Sequence, residues 1–483
     1  MISLQYLFPQ WPDAAITVTG LTTDSRQVQP GYLFLAVPGL RQDGRQHIDQ
    51  AVAAGALAIA YEAGDGFSCS APVALLPIDN LADQLSAIAA RYHGEPARSM
   101  KLVGITGTNG KTSVSQMLAQ ALTALGQPCG VIGTLGSGMP GALHDHGMTT
   151  PDALSLQQQL AQLRDQGAHR VSMEVSSHAL SQGRVAALNF EVAVFTNLSR
   201  DHLDYHGDMA AYGQAKAQIL DQAAQVVINI DDAFGRQLAA DCTLPLVRYS
   251  LNDSSAELYC SAIRFDAEGI SARLHAGNHS AELRSPLLGT FNLSNLLAVA
   301  GVLLAQGQPL AQIAALLGQL SAPAGRMQRL GGEGQPQVVI DYAHTPDALD
   351  NALAALRAHV AGRLICVFGC GGDRDSGKRP LMGRAAEQGA DVLVITDDNP
   401  RSEDSAAIIE EIRAGIEHCK QVTVIANRAE AIAQTIASAT ADDIILLAGK
   451  GHETYQEIHG VRHPFSDIEQ AERALRRREE QDA

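Results

Sequence analysis

Aromatic residues make up only 4% of the chain, with a single Trp, and no stretch reaches the roughly 20 apolar residues that span a bilayer. The first shortage disfavours a β-sandwich, and the second excludes membrane insertion by a helix. Basic residues are outnumbered, 35 Lys and Arg against 52 Asp and Glu, for a net charge of −17. So acidic a chain has no general nucleic-acid or membrane face, and an anionic ligand must be met by a local cluster of donors. The seven cysteines are scattered and odd in number, and Cys366 and Cys370 miss the C-x-x-C spacing. Reduced thiols in a cytoplasm are the expectation. The opening "MISLQYLFPQWPDAA" has no basic stretch followed by an apolar run, so no export signal is expected.

What the chain does have is Ala, Leu and Gly, within a 46% hydrophobic and 18% charged balance. That composition favours helices packed on sheets. Its 483 residues suggest about three domains. Residues 1–97 carry short apolar runs ("GYLFLAV", "ALAIAYE", "PVALLPI"), then the helical "LADQLSAIAARYHGEP", whose Gly-Glu-Pro reads as a linker. Residues 98–329 alternate buried-strand runs ("KLVGIT", "HRVSMEV", "EVAVFTN", "QVVINI") with helices. Residues 330–483, opening at the glycine-rich "LGGEG", restart the alternation with "VVIDYAHTP", "LICVFGCGGDRD", "VLVITDDNPR" and "DIILLAGKGHE". The expected fold is α/β in three domains. They are a smaller N-terminal α/β domain, a central P-loop-type parallel sheet with helices on both faces, and a Rossmann-like C-terminal domain. Polar residues follow each of the last four strands directly, where open α/β sheets bind ligands.

"KLVGITGTNGKTSVSQ" reads as strand, glycine turn and helix start, with Gly104, Gly107 and Gly110 ahead of Lys111 and Thr112. The usual phosphate loop asks for Gly, four residues, then Gly-Lys-Ser/Thr, and Gly104 sits one residue too early. A strand-to-helix turn that merely needs glycine is the alternative. The lysine–hydroxyl pair at a helix start favours ATP, with Lys111 reaching the β/γ-phosphates and Thr112 holding Mg²⁺. Glu174 in "SMEVSSH" is either a second Mg²⁺ ligand or a solvated loop carboxylate. The acids and histidines of "TNLSRDHLDYHGDM" point to metal or phosphate chemistry, or to helix caps supplied by Asp201 or Asp204. A histidine ligand would be atypical for Mg²⁺. Asn292 and Asn295, one helical turn apart, can bind an adenine edge or a phosphate; an N-cap and a surface residue are the commoner case. Lys216, in the helical "AAYGQAKAQIL", is by default solvated.

"GITGTNGKTS", "MEVSSHAL", "TNLSRDHLDYHG", "GTFNLSNLLAVA", "GRMQ", "DYAHTPDAL", "GCGGDRDSGKRP", "DNPRSE" and "AGKGHETYQ" follow one another in this order. From "TTDSRQV" to about residue 460 the sequence resembles the Mur ligases, in particular the branch that adds the third residue to the UDP-N-acetylmuramoyl peptide. In that family the loop carries the extra residue. The resemblance implies an ATP-dependent ligase of peptidoglycan precursor synthesis that activates a carboxylate as an acyl phosphate for attack by an amine. The acceptor would be UDP-N-acetylmuramoyl-L-alanyl-D-glutamate and the amine meso-diaminopimelate. A lysine-adding version of the step and a folylpolyglutamate synthetase-like ligase are the alternatives. A nucleotide-gated binding or motor protein, which would release phosphate without an amine, is the competing class.

By the same resemblance Thr112, Glu174, His202 and Lys216 hold two Mg²⁺ ions, Lys216 as a carbamylated N6-carboxylysine, and Lys111, Glu174, His202 and Lys216 are catalytic. ATP falls to Gly107, Thr108, Asn109, Gly110, Lys111, Thr112, Asn292, Asn295, Arg326, Asp341 and His344. The UDP-muramoyl dipeptide falls to Ser25, Leu40, Arg41, Gln42, Thr149, Thr150, Ser176, Gln182 and Arg184. Diaminopimelate falls to Arg374, Asp398, Asn399, Pro400, Arg401, Gly449 and Glu453. Phe291 stands where relatives often have His, which leaves that side chain without an assigned role. A cytoplasmic monomer acting on small molecules is expected.

Overall fold

The computed structural model describes residues 1–11, 16–39, 42–64, 66–332, 334–418 and 421–482. It forms two compact bodies, Met1–Val247 and Arg248–Ala483.

In the first body a four-stranded parallel sheet is built from Gly20–Thr22, Tyr32–Ala36, Ala58–Glu62 and Ala74–Ile78. Alternate strand residues face opposite ways. Leu33 and Leu35 therefore pack with Leu4, Leu7 and Ile88, while Phe34 and Ala36 pack with Ile48 and Ala51. Within a second sheet Cys129–Gly133, Arg170–Glu174, Lys101–Thr106, Phe190–Phe195 and Val226–Asn229 lie side by side, every pair parallel. Lys101–Thr106 lies among these strands, and all but its first residue are buried. Burial on both faces is why such strands read as unbroken apolar runs rather than as alternation.

One glycine changes its meaning here. Gly104 lies inside the Lys101–Thr106 strand, where an added Cβ would stand 2.8 Å from the Phe190 ring. It is there for packing, and the phosphate-type loop proper runs from Gly107 to Gly110.

The second body begins with an antiparallel meander, Leu258–Asp266, Gly269–Ala276 and His279–Ser285, followed by helices Thr290–Ala305 and Leu310–Leu317. The meander was not expected. Its strands are half exposed, with charged and polar residues in alternate places, so no apolar run marks them. A six-stranded sheet follows in the order Gln328–Gly331, Gln337–Asp341, Ile444–Ala448, Leu364–Phe368, Val392–Ile395 and Val422–Val424. Only its first pairing is antiparallel. The glycines of "LGGEG" therefore serve a hairpin turn, with Gly331, Gly332 and Gly334 all at positive φ. The sheet takes in Gln328 and Arg329, ahead of the expected division at residue 330.

Two ion pairs brace this sheet, one wholly buried and one between the buried Asp443 and a half-exposed Arg363. Arg428 grips Asp467 through Nε and Nη2, both at 2.7 Å, with both side chains wholly buried. At the opposite strand ends Asp443 accepts from the Arg363 N–H at 2.7 Å, the Thr440 N–H at 2.8 Å and the Arg363 guanidinium at 2.7 Å. Burial by itself raises the pKa of this carboxyl. The Arg363 and Thr440 donors outweigh it and hold the group down at about 2, against 3.8. A depressed carboxylate stabilises the fold above its unfolded pKa and loses that contribution as the pH falls through the folded value. Asp443→Asn is therefore expected to cost ~2 kcal/mol at neutral pH, a gap that narrows between about pH 4 and pH 2. Urea unfolding of both proteins across that range measures it; an equal gap at pH 5 and pH 2 would contradict the assignment.

Candidate active site

The loop after Lys101–Thr106 is shaped by its neighbour strand. Gly107 has φ +144°, and a Cβ on it would stand 1.9 Å from Thr196 Oγ1. That hydroxyl donates to the Asn109 carbonyl at 2.6 Å, and the Asn197 backbone carbonyl and side chain accept the N–H groups of Thr108 and Asn109 at 2.8 and 2.9 Å. Those two amides are thus engaged by protein. The loop leads through Gly110 into the helix Lys111–Ala124, and a helix start favours an anion.

Two lysines converge on this loop. Lys111 Nζ donates to the carbonyls of Gly107 and Thr108, each at 2.9 Å, and Lys216 Nζ donates to the same Gly107 carbonyl at 2.8 Å. Lys216 is not a solvated helix lysine: it is 1% exposed, its Nζ 4.5 Å from the Tyr212 ring centre. Burial, and then the charge of Lys111, bring its pKa down to about 6 from 10.5. A lysine so placed holds its amine neutral and nucleophilic near pH 7.

Glu174 ends its strand with 1% exposure, so it is no solvated loop residue. Its carboxylate accepts from Thr112 Oγ1 at 3.0 Å, the Thr134 N–H at 2.8 Å and Thr134 Oγ1 at 3.2 Å. Gly133 makes the room, since a Cβ there would meet Glu174 Oε1 at 2.3 Å. Thr134 escaped the sequence reading; "IGTLG" offers only another glycine turn, and nothing local shows that it faces a strand 40 residues away. Thr134 Oγ1 also bonds Thr149 Oγ1 at 3.0 Å, while Thr150 Oγ1 donates to the Glu174 carbonyl and accepts the Ser176 N–H. Arg184 Nη1 donates to the Thr150 carbonyl at 2.8 Å, and Arg184 Nε to Gln182 Oε1 at 3.0 Å. Thr149, Thr150, Ser176, Gln182 and Arg184 therefore form one network that runs into Glu174.

His202 lies in the left-handed region at φ +51°, with about half of its side chain exposed. Its ring stands edge-on to His178 at 4.9 Å and to Tyr212 at 6.1 Å. Burial and the neighbouring histidines lower the pKa of His178. The cap in this stretch is Asp208, which accepts the Ala211 N–H at 2.8 Å, rather than Asp201 or Asp204. Ser25, nearly buried, donates to Gln50 Oε1 at 2.9 Å; Gln42 is exposed, and Leu40 and Arg41 lie outside the described residues.

The second body holds the other candidates. Asn292 and Asn295 are inside the Thr290–Ala305 helix and buried, neither a cap nor a surface residue; Asn292 Nδ2 donates to the Leu288 carbonyl and Asn295 Nδ2 to Asn292 Oδ1. Phe291 is 38% exposed. The Arg326 guanidinium lies 5.0 Å over the Tyr342 ring, and Asp341 accepts the Met327 N–H at 2.8 Å. Burial raises the Asp341 pKa, against the pull of Arg326. His344 Nδ1 stands 2.8 Å from the Tyr342 carbonyl.

Asp398, Asn399, Pro400 and Arg401 follow the Val392–Ile395 strand as a tight loop. Gly372 presses on it, since a Cβ there would meet the Pro400 carbonyl at 1.9 Å. Arg401 has φ +53°; its N–H donates to the Glu457 carbonyl at 2.9 Å and its Nη1 to the Gly372 carbonyl at 2.6 Å. Asn399 Nδ2 donates to Glu453 Oε2 at 3.0 Å. Gly449, at φ +111°, leaves space for Asp398 Oδ2, 2.8 Å from where its Cβ would be. Arg374 is exposed. A cavity of about 650 Å³ beside Lys101 and Gln157, at the far end of the Lys101–Thr106 strand, contains none of these residues.

Residues 17–93, 105–303 and 325–451 match, in turn, the Mur ligase catalytic domain, the Mur ligase middle domain and the Mur ligase glutamate ligase domain. A protein of Pseudomonas aeruginosa named UDP-N-acetylmuramoyl-L-alanyl-D-glutamate--2,6-diaminopimelate ligase is 60% identical, over 98% of each chain. The chain belongs to the Mur ligase family. A Xanthomonas campestris protein of the same name is 52% identical over 96% of each chain. Among solved structures, one of a ligase so named aligns over 99% of each chain with 36% identity and a TM-score of 0.76. A folylpolyglutamate synthase of Mycobacterium tuberculosis, complexed with ADP, shares only the fold: TM-score 0.60, 22% identity, 76% of this chain and 92% of that one. As a Mur ligase the chain joins a carboxylate to an amine at the expense of ATP, which sets aside the nucleotide-gated motor. Among the described residues no helix is long and apolar enough to cross a membrane.

The Mur ligase loop tolerates nothing larger than glycine where it meets Thr196. Gly107→Ala is expected to lose about 1–3 kcal/mol of stability to overpacking, and nucleotide affinity with it. Nucleotide titration beside thermal unfolding reads both, and wild-type values for the variant would refute the loop geometry.

Proposed function

We propose that this Mur ligase adds meso-diaminopimelate to UDP-N-acetylmuramoyl-L-alanyl-D-glutamate, a step of peptidoglycan precursor synthesis. The D-glutamyl carboxylate oxygen attacks the γ-phosphorus of ATP, the bond to ADP breaks, and an acyl phosphate forms. The amine of diaminopimelate attacks its carbonyl carbon, phosphate departs with the bonding pair, and the nitrogen loses a proton to leave an amide. Such phosphoryl transfer asks a protein mainly for positioning and charge neutralisation. Lys111 and the helix start are assigned to the phosphates, with Asn292, Asn295, Arg326, Asp341 and His344 as the further ATP contacts. The network from Thr149 to Arg184, with Ser25, is assigned to the acceptor.

Two Mg²⁺ ions belong to this reading. Among the described residues no three His, Cys, Asp or Glu side chains converge as a metal cage. Magnesium takes one or two carboxylates and completes its shell with phosphate and water. Thr112 Oγ1 and the Glu174 carboxylate offer oxygen side by side. Lys216 fits a cation only after its neutral amine has captured CO₂ and become a carbamate, and His202 is the fourth ligand assigned. The ions would supply charge neutralisation at the transferring phosphoryl group. The wider reading is three domains, 1–97, 98–329 and 330–483, in a cytoplasmic monomer.

The observation that carries the choice of donor is the Asp398–Arg401 loop. It presents an arginine and an amide within one short stretch, and that amide bonds the Glu453 carboxylate, which follows a different strand. A carboxylate beside an ammonium, the feature that separates meso-diaminopimelate from lysine, needs that set of partners. Arg401→Ala is expected to raise the apparent KM for meso-diaminopimelate by roughly a hundredfold, with little change for ATP or the muramoyl dipeptide. Wild-type protein that joins L-lysine as well, or an Arg401→Ala protein with its preference intact, would make the donor assignment wrong.

Lys216→Ala is expected to lower ligation by a factor of about 10² or more, with partial recovery on adding a short carboxylate such as acetate. Full activity without it would sink the carbamate. An inactive variant indifferent to carboxylates would mark Lys216 as a loop support instead.

A further inference from the structure

We propose that Lys450, to which the reading above gives no part, is a positioning residue that sets the polarity of the amino-acid donor pocket. This rests on the assignment of Asn399 and Glu453 to the donor.

Lys450 follows the Ile444–Ala448 strand and is 0% exposed, its Nζ lying 5.6 Å from the Tyr455 ring centre and 6.0 Å from that of Phe465. A lysine in such a place must spend its N–H groups on acceptors. Nζ stands 3.2 Å from Asn399 Oδ1, 3.1 Å from Glu453 Oε2 and 3.9 Å from Asp398 Oδ1.

The direction of the Asn399 amide follows. Ammonium and backbone N–H can only donate. Lys450 Nζ and the Glu457 N–H, at 3.2 and 2.9 Å, both address one end of that side chain, so that end is the oxygen. The other end faces the Glu453 carboxylate at 3.0 Å and must be the NH₂ group. One N–H of Asn399 is spent on Glu453, and among the described residues no acceptor is seen for the second. Glu453 Oε2 already serves Lys450 and Asn399, while Oε1 carries no hydrogen bond among the described residues.

The pocket thus offers a donor N–H next to a carboxylate oxygen, the complement of a carboxylate beside an ammonium. A reversed amide would offer a carbonyl to that carboxylate instead. Among the described residues Lys450 is the one side chain that bonds both members of the pair. It acts through them and need not touch the substrate.

The test measures KM for meso-diaminopimelate, ATP and the muramoyl dipeptide in wild-type protein, Lys450→Met, Asn399→Ala and the double variant. Lys450→Met is expected to raise the diaminopimelate KM about tenfold or more, the scale of one charge-assisted hydrogen bond, and to lower its preference over L-lysine. The other two KM values should stay within about twofold, and in the Asn399→Ala background the same change should add little. Should Lys450→Met fail to fold, Lys450→Gln keeps a donor but loses the charge, and a smaller rise in the diaminopimelate KM alone, of a few fold, is expected of it. An unchanged diaminopimelate KM, a parallel loss for all three substrates, or full additivity with Asn399→Ala overturns the proposal. Wild-type protein that ligates no diamino acid overturns the donor assignment and the role of Lys450 together, whereas indifferent variants of a diaminopimelate-dependent enzyme overturn Lys450 alone.

Discussion

A carboxylate that is almost wholly buried has to be supplied with donors, and Glu174 organises much of the first body by that requirement. Its oxygens draw the helix start at Thr112, the turn at Thr134 and, through Thr134, the Thr149–Thr150 segment to one strand end. Leaving such a charge unmatched would cost several kcal/mol. The strands that bring these donors together are parallel and adjacent, Cys129–Gly133 on one side of Glu174's strand and Lys101–Thr106 on the other. The polar cluster and the apolar sheet are therefore one construction, in which register decides which hydroxyl reaches the carboxylate.

The second body repeats the idea with the signs rearranged. Arg428 and Asp467 neutralise one another in the interior, and Arg428 also donates to the Ala448 carbonyl at 2.9 Å, the last residue before Gly449 and Lys450. A fixed strand end is what allows Lys450 to enter the interior and still reach Asn399 and Glu453. Buried ion pairs add little to stability compared with well-packed apolar groups. Here their value is directional, since each fixes where a polar group points.

Much of this was legible in advance. The parallel strands were visible because burial on both faces leaves unbroken runs such as "LICVF" and "VLVI", and the helix after the loop because its apolar residues recur at helical spacing. The Leu258–Ser285 meander was invisible for the opposite reason: half-exposed strands alternate, and "RFDAEGISARLHAGNHS" offers no run to find. Gly104 looked like part of a phosphate loop because a glycine in a strand and a glycine in a turn are the same letter. Only the Phe190 ring against it tells them apart.

The sequence by itself determined the loop, its lysine and hydroxyl, the family and the order of its polar strand ends, because these are written in residues adjacent along the chain. Tertiary structure alone decided that Glu174 and Lys216 are buried, that Thr134 serves Glu174, and that Lys450 meets Asn399. Lys216 and Gly107 are 109 residues apart, Thr134 and Glu174 40, and Asn399 and Lys450 51. Whether such residues meet depends on sheet register and on what packing leaves open, as at Gly107 and Gly133, where a single methyl group would close the space. Spacing along the chain carries no record of that, because the same apolar runs stacked one residue out of register would turn Glu174 to the other face of its sheet.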